Sequence, residues 1–167
     1  FGDPTEFAAG PYPVSLAIGD VDGDEDLDIA IANDSTDHLT ILLGDGTGSF
    51  ATGATPLVGQ YPRSVSMSDL DRDGKLDLVV GRQFNNGSGS NAISVLLGDG
   101  TGLFGPPVTI FSLSVDAVVE LYTAIDDFNG DNKPDVAVAD TSAARVVILL
   151  NNPVRAMPWI PLLLLGD

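Results

Sequence analysis

Three short acidic segments carry most of the chemistry open to this chain. They read Asp20-Val-Asp22-Gly-Asp24-Glu-Asp26-Leu-Asp28, Asp69-Leu-Asp71-Arg-Asp73-Gly-Lys75-Leu-Asp77 and Asp127-Phe-Asn129-Gly-Asp131-Asn-Lys133-Pro-Asp135. Positions one, three, five and nine are Asp or Asn in every copy. A hard cation such as Ca²⁺ takes six to eight oxygens at about 2.3–2.6 Å. Alternating carboxylates or amides in a tightly turned loop bring three such oxygens to one point, and the ninth residue closes the site. The seventh position, Asp26, Lys75 or Lys133, is expected to offer its backbone carbonyl, which leaves its side chain free to vary. Position six must turn sharply, which suits Gly74 and is less comfortable for Glu25 and Asn132. The expected cofactor is Ca²⁺, about three ions with one per loop. The Asp69–Asp77 loop is expected to bind tightest, because it combines Asp at positions one, three, five and nine with Gly at six.

EF-hand and dockerin loops share this opening, but they run about twelve residues between helices and end on a bidentate Glu. Here the ninth residue runs directly into Asp-Ile-Ala-Ile-Ala, Asp-Leu-Val-Val-Gly and Asp-Val-Ala-Val-Ala, which are strand sequences, so an EF-hand is rejected. Isolated Asp clusters are often no more than solvated surface. Three copies in one register are the argument against that reading here.

The elements that hold the loops repeat as well. Ile41-Leu42-Leu43-Gly44-Asp45-Gly46-Thr47-Gly48-Ser49-Phe50 returns 54 residues later as Val95-Leu96-Leu97-Gly98-Asp99-Gly100-Thr101-Gly102-Leu103-Phe104, and in degraded form as Ile148 to Asn152. Between these turns lie short runs with period-two alternation and many β-branched residues, the pattern of strands with one buried face. The expected first strands are Leu16–Gly19, Val65–Ser68 and Thr123–Asp126; the second, after each acidic loop, are Leu27–Ala32, Leu76–Gly81 and Asp135–Ala139. The third are Leu39–Leu43, Ile93–Leu97 and Val146–Leu150, and the fourth fall near Phe50–Val58 and Phe104–Phe111. One face of the second strand is kept small by Ala30 and Ala32, Val79 and Gly81, Ala137 and Ala139, which lets neighbouring sheets approach closely. Four strands per roughly 50 residues is a propeller blade. The expected fold is therefore all-β, with about three four-stranded propeller-type blades forming a partial propeller. The repeats span about 8–58, 59–112 and 113–152, and residues 1–7 form the tail of a preceding copy. Asn85 to Asn91 reads as an insertion in a hairpin loop. Residues 153–167 form an apolar segment, either a cap strand or the stump of an anchor. Its Met157–Gly166 stretch falls short of the roughly 20 residues needed to span a bilayer, and the opening Phe1 reads as the start of a mature or excised piece.

Composition narrows the functions. Of 24 acidic residues, 14 fall in the segments 20–28, 69–77 and 126–135, and the 24 against seven Lys and Arg set the formal charge at −17. Such a chain repels nucleic acid and anionic membrane and attracts cations. There is no cysteine to act as nucleophile or soft-metal ligand, and the single histidine, His38, reads as an exposed hairpin residue with no Ser-His-Asp set around it. No catalytic constellation is visible, and the regular spacing of the carboxylates argues against their use as an acid–base pair for glycoside hydrolysis. Tyr12 and Tyr61 stand at equivalent positions ahead of the first strands, so repeat architecture accounts for them. Arg82 and Arg145 read as surface charges near strand ends.

The Asp-x-Asp-x-Asp-Gly-x-x-Asp loop followed by a β run, alternating with Leu-Leu-Gly-Asp-Gly-Thr-Gly-x-Phe, resembles the FG-GAP/VCBS repeats of integrin-α-like propellers over essentially all of residues 1–152. The resemblance implies blades in which the loop joins the first two strands and structural Ca²⁺ is held by Asp20, Asp22, Asp24 and Asp28, by Asp69, Asp71, Asp73 and Asp77, and by Asp127, Asn129, Asp131 and Asp135. Glu25 and Asn132 depart from its Gly at position six. It further implies an extracellular or cell-surface module, secreted, for adhesion or for binding a protein or carbohydrate ligand, and not itself an enzyme. The alternative is a non-catalytic portion of a secreted polysaccharide-acting enzyme; a purely structural spacer is a third reading. Three repeats do not complete a ring of that kind, so a homo-oligomer or further blades are expected to close it.

Overall fold

The computed structural model describes residues 2–83, 91–113, 121–141 and 143–152. Eleven strands are present: β1 Pro13–Gly19, β2 Asp28–Asn33, β3 Leu39–Gly44, β4 Phe50–Thr52, β5 Pro62–Ser68, β6 Asp77–Arg82, β7 Asn91–Leu96, β8 Val108–Leu113, β9 Leu121–Asp126, β10 Asp135–Asp140 and β11 Arg145–Leu149. They form three antiparallel meanders, β1-β2-β3-β4, β5-β6-β7-β8 and β9-β10-β11. The protein is all-β among the described residues, an unclosed fan of propeller-type blades. No helix there is long and apolar enough to cross a membrane. The expected hairpin insertion lies, apart from Asn91, outside the described residues, as does the apolar segment 153–167.

The register repeats with the sequence. Gly19 pairs with Asp28, Ser68 with Asp77 and Asp126 with Asp135, so each acidic loop closes on its ninth residue. The fourth strands differ from expectation. β4 stops at Thr52, although Ile41 N–H still donates to Ala54 at 3.0 Å and Leu39 N–H to Pro56 at 3.1 Å. Gly53 spends its own N–H on Ile41, at 2.8 Å, so the ladder shifts there instead of continuing. In the second sheet, Phe104 makes one ladder contact with Gly98, and β8 begins only at Val108, because Pro106 and Pro107 have no N–H to donate.

The sheets stack with their unlike faces together. Ala30 and Ala32 lie fully buried with Leu39 and Ile41 against Val65, Leu78 and Val80 of the second sheet. The opposite face of that sheet, with Val79, Ile93 and Val95, packs on Leu121, Val136 and Val138 of the third. The small second-strand face sets the spacing, as expected. A Cβ on Gly81 would collide with the Leu121 carbonyl and the Ser64 hydroxyl.

The first strands β1, β5 and β9 lie side by side along the inner edge of the fan without forming a common sheet. Unpaired backbone groups on such an edge need partners. Serine hydroxyls provide them: Ser15 Oγ accepts Val65 N–H at 3.2 Å, and Ser64 Oγ and Ser66 Oγ donate to the carbonyls of Leu121 and Thr123 at 2.7 and 3.1 Å. Tyr12 and Tyr61 are alike in conformation, both left-handed at φ 53° and 51°. Their carbonyls accept Asp34 N–H and Gln83 N–H, each at 3.0 Å, an architectural role. The arginines divide, Arg145 being an exposed surface charge as expected and Arg82 lying partly buried. Half-buried Arg82 donates to Thr109 at 3.2 Å, and Arg145 pairs at 2.9 Å with buried Asp140.

Candidate metal centres

Each acidic loop is folded by its own carboxylates before any ion is considered. The first residue gathers N–H donors from the turn. Asp20 accepts Gly23 and Glu25 at 2.7 and 3.0 Å, Asp69 accepts Asp73 and Gly74 at 3.0 and 2.9 Å, and Asp127 accepts Gly130 and Asn132 at 2.7 and 2.8 Å. These bonds favour the charged carboxylate. The Gly23 bond foremost holds Asp20 below its ordinary range, and the Asn132 bond does so for Asp127. The fifth residue accepts the N–H of the seventh at 2.9–3.0 Å in all three loops, from Asp26 to Asp24, Lys75 to Asp73 and Lys133 to Asp131.

Two of the loops converge their carboxylates. Oxygens of Asp20, Asp22 and Asp28 lie within 4.8 Å of one another, and so do those of Asp69, Asp71 and Asp77. In the third loop Asn129 replaces one acid; its Oδ1 accepts Asp131 N–H at 2.8 Å. The fifth-position residues Asp24 and Asp73 stand outside these two triads, and Asp73 instead meets Lys75 Nζ at 3.2 Å. Asp131 likewise meets Lys133 at 3.5 Å. Where the other loops carry lysine, Asp26 faces more carboxylates; burial first, then Asp24 and Asp45, raise its pKa.

Third-position Asp22 carries the clearest mark of an unmet demand. Its Oδ1 is buried with no hydrogen-bond partner. Burial, then the charges of Asp28 and Asp24, raise its pKa; burial, then Asp73, do the same for Asp71. Carboxylates pressed together in partly dry surroundings repel until a cation or proton arrives. The donor set is all hard oxygen, which suits Ca²⁺ or Mg²⁺ over soft-metal chemistry.

The ninth residue does more than close the loop. Asp28, Asp77 and Asp135 are buried, and each uses both oxygens on backbone donors. One oxygen accepts the N–H of position two, from Val21, Leu70 and Phe128 at 2.8, 2.9 and 3.1 Å. The other reaches across the sheet to Gly44, Gly98 and Asn151 at 2.8, 2.9 and 2.7 Å. This carboxylate straps the loop to the end of the third strand, and a carboxylate's four lone-pair sites leave room for an ion as well. The sequence signal was the fixed pairing of a ninth Asp with a Gly or Asn after the third strand.

The backbone alters the expected ranking of the loops. Position six is left-handed, at Glu25 (φ 73°), Gly74 (φ 85°) and Asn132 (φ 60°), as the sequence reading required. Position four is left-handed too, at Gly23 (φ 82°), Arg72 (φ 67°) and Gly130 (φ 80°). Each loop thus has one glycine and one non-glycine residue in left-handed backbone at these two positions, so glycine content by itself does not set the second loop apart.

A further contact joins neighbouring blades. Gly102, in the turn of the second sheet, donates its N–H to the Val21 carbonyl of the first loop at 2.9 Å. Asn151 of the third repeat reaches the equivalent Leu70 carbonyl of the second loop through Nδ2 at 2.7 Å. These turns are braced internally, since Asp45 and Asp99 accept the N–H and hydroxyl of Thr47 and Thr101 at 2.9 and 2.7 Å. His38 is exposed at the mouth of the β2–β3 hairpin, bridging to Leu57.

A search of the curated proteins finds no match to the chain. Residues 20–80, from the first Asp of the first loop to the middle of β6, match the family model of the FG-GAP-like repeat. This stretch contains two of the three loops and the interface between the first two sheets, and over it the chain carries FG-GAP-like repeat sequence, in agreement with the motifs that pointed there.

Proposed function

We propose that this chain is a calcium-binding β-propeller module of the extracellular or cell-surface kind, in which the ions rigidify the blades and a protein or carbohydrate ligand is bound without turnover. The buried, unpartnered Oδ1 of Asp22 within a converging carboxylate triad carries the metal half of this reading. Asp20, Asp22, Asp24 and Asp28 would hold one ion, Asp69, Asp71, Asp73 and Asp77 a second, and Asp127, Asn129, Asp131 and Asp135 a third, with the carbonyls of Asp26, Lys75 and Lys133 completing the sets. Bound Ca²⁺ would neutralise the mutual repulsion of these groups. The FG-GAP-like match supports a binding module over an enzyme.

Binding to the folded state alone stabilises by RT ln(1 + [L]/Kd), so about 1 mM Ca²⁺ against a Kd near 0.1 mM contributes roughly 1.4 kcal/mol per site and about 4 kcal/mol for three sites. Calorimetric titration is expected to find three sites, and the chelated protein to melt well below the calcium-loaded one. Coincident melting curves with binding confirmed would reduce the ions to passengers, and fewer than two sites would overturn the ligand assignment. A glycan and protein binding screen run in Ca²⁺ and in chelator tests the ligand half, where calcium-dependent capture without turnover is the expected result.

A further inference from the structure

The two internal blade interfaces follow one rule, and the two outermost faces of the fan carry equivalent residues, several of them exposed; on the first sheet's outer face Ile31 and Leu42 are buried and the exposed part is Leu16, Ile18 and Leu27. Inside the chain, Ala30, Ala32, Leu39 and Ile41 of the first sheet meet Val65, Leu78 and Val80 of the second, with Met67 and Leu76 beside them. At the open end of the third sheet, strand register places Val146 opposite Ala139 and Ile148 opposite Ala137, as Leu39 stands opposite Ala32 and Ile41 opposite Ala30. Val146, Ile148 and Leu150 are 66%, 42% and 51% exposed, whereas Leu39 and Ile41 are at 0%. At the open end of the first sheet, loop alignment places Leu16, Ile18 and Leu27 where Val65, Met67 and Leu76 stand in the second. They are 60%, 56% and 62% exposed.

We infer that these two faces pair head to tail with a second copy of this chain, the first sheet of one copy stacking on the third sheet of the other. The occupant follows from continuity with the internal interfaces. Each copy carries one face of each kind, and the two kinds already fit one another twice within the chain, in the same order and with the same small-against-large packing. A contact between unlike faces is heterologous, so it forms between copies without either face having to match itself. Contiguous apolar surface of this sort marks an interaction site.

The incoming copy also completes the third acidic loop. Gly102 caps the Val21 carbonyl of the first loop, where a Cβ built on it would stand 3.4 Å from Leu43 and 3.6 Å from the Cβ of Asp22. Gly48 is the same turn position in the first sheet, with a similar left-handed backbone (φ 90° against 80°), but a Cβ there would meet only open space. Phe128 is the third loop's counterpart of Val21. In the pair, Gly48 N–H of one copy donates to the Phe128 carbonyl of the other. The stacking itself needs no ion.

Sedimentation of the full chain tests this in calcium and in chelator, so that failure of metal binding and failure of pairing are read separately. The wild type is expected at twice its 17.3 kDa mass or above. Leu16→Asp and Ile148→Asp each remove one face and are expected to sediment as monomers. Mixed in equal amounts, they are expected to form a one-to-one complex, because each retains the face the other lacks, and the Gly48 amide gains hydrogen-exchange protection in that mixture. Leu27→Asp and Val146→Asp serve as the second pair should circular dichroism find either first variant unfolded. A wild-type monomer at every concentration, the result expected if another occupant covers these faces, overturns the inference. So does a mixture of folded variants that fails to combine.

Discussion

Replacing Asp28 by alanine in the presence of chelator isolates the strap formed by the ninth loop residue from any part it takes in metal binding. Its carboxylate is fully buried and accepts Val21 N–H and Gly44 N–H, each at 2.8 Å. Alanine leaves both donors without their acceptor, the Val21 N–H in a buried site and the Gly44 N–H in a partly buried one. A buried unsatisfied donor costs roughly 1–3 kcal/mol, so two cost about 2–6 kcal/mol. That is a large share of the ~5–15 kcal/mol that holds a typical domain folded. Asp22→Asn is the opposite case. It removes a charge confined beside Asp28 and Asp24, whose oxygen lacks a partner, so without metal it is expected to be neutral or stabilising. In calcium both variants are expected to bind one ion fewer or more weakly. Urea unfolding followed by circular dichroism, in EDTA and in calcium, gives all four values. An Asp28→Ala loss under about 1 kcal/mol in EDTA would refute the strap. An equal loss for Asp22→Asn would refute the division of roles within the loop.

Glu25→Gly and Arg72→Gly are each expected to stabilise the chelated protein by about 0.5–1 kcal/mol, since relief of roughly 1–2 kcal/mol of left-handed strain outweighs the ~0.5–1 kcal/mol entropy cost of glycine. Chemical denaturation checks this, and a loss for both would show that their side chains make contacts worth more than the strain. Gly81→Ala is expected to destabilise by about 1–3 kcal/mol by pushing the second sheet off the Leu121 backbone; an unchanged melting temperature would show that the interface has slack. Burial foremost pushes the Asp77 carboxyl up to about 6 against an ordinary 3.8, despite the opposing bonds from Gly98 and Leu70. The folded, metal-free protein therefore holds this proton more tightly than the unfolded chain. The resulting stability is present below about pH 4 and is lost as pH rises through about 6. The stability difference between wild type and Asp77→Asn is expected to change across that window in EDTA, and a flat difference would contradict the assignment.

Much of the fold was legible because it rests on local pattern. Period-two alternation placed the first three strands of every described repeat to within a few residues, and Ala30, Ala32 and Gly81 announced close sheet packing. The fourth strands were drawn too long or begun too early. Whether Gly53 continues a ladder or shifts it depends on the partner carbonyl of Ile41, and Pro106 and Pro107 delay β8 because they cannot donate.

In the loops, the sequence by itself determined that positions one, three and nine come together in the first two repeats, since alternating Asp in a turn closed by a ninth Asp leaves them few other places to go, whereas the fifth-position Asp24 and Asp73 stand outside those triads. It also disclosed the strain at Glu25 and Asn132, because left-handed backbone at position six follows from loop geometry alone. Tertiary structure decided the rest. The strap from Asp28 to Gly44 spans 16 residues and that from Asp77 to Gly98 spans 21, distances over which the register of a whole hairpin must be fixed before the bond exists. The caps from Gly102 to Val21 and from Asn151 to Leu70 cross from one sheet to the next, and they form only once small faces have met large ones. Position four was hidden for a related reason: Arg72 adopts a conformation that its own residue type disfavours, and only the surrounding bonds from Asp69, Asp71 and Asp77 hold it there.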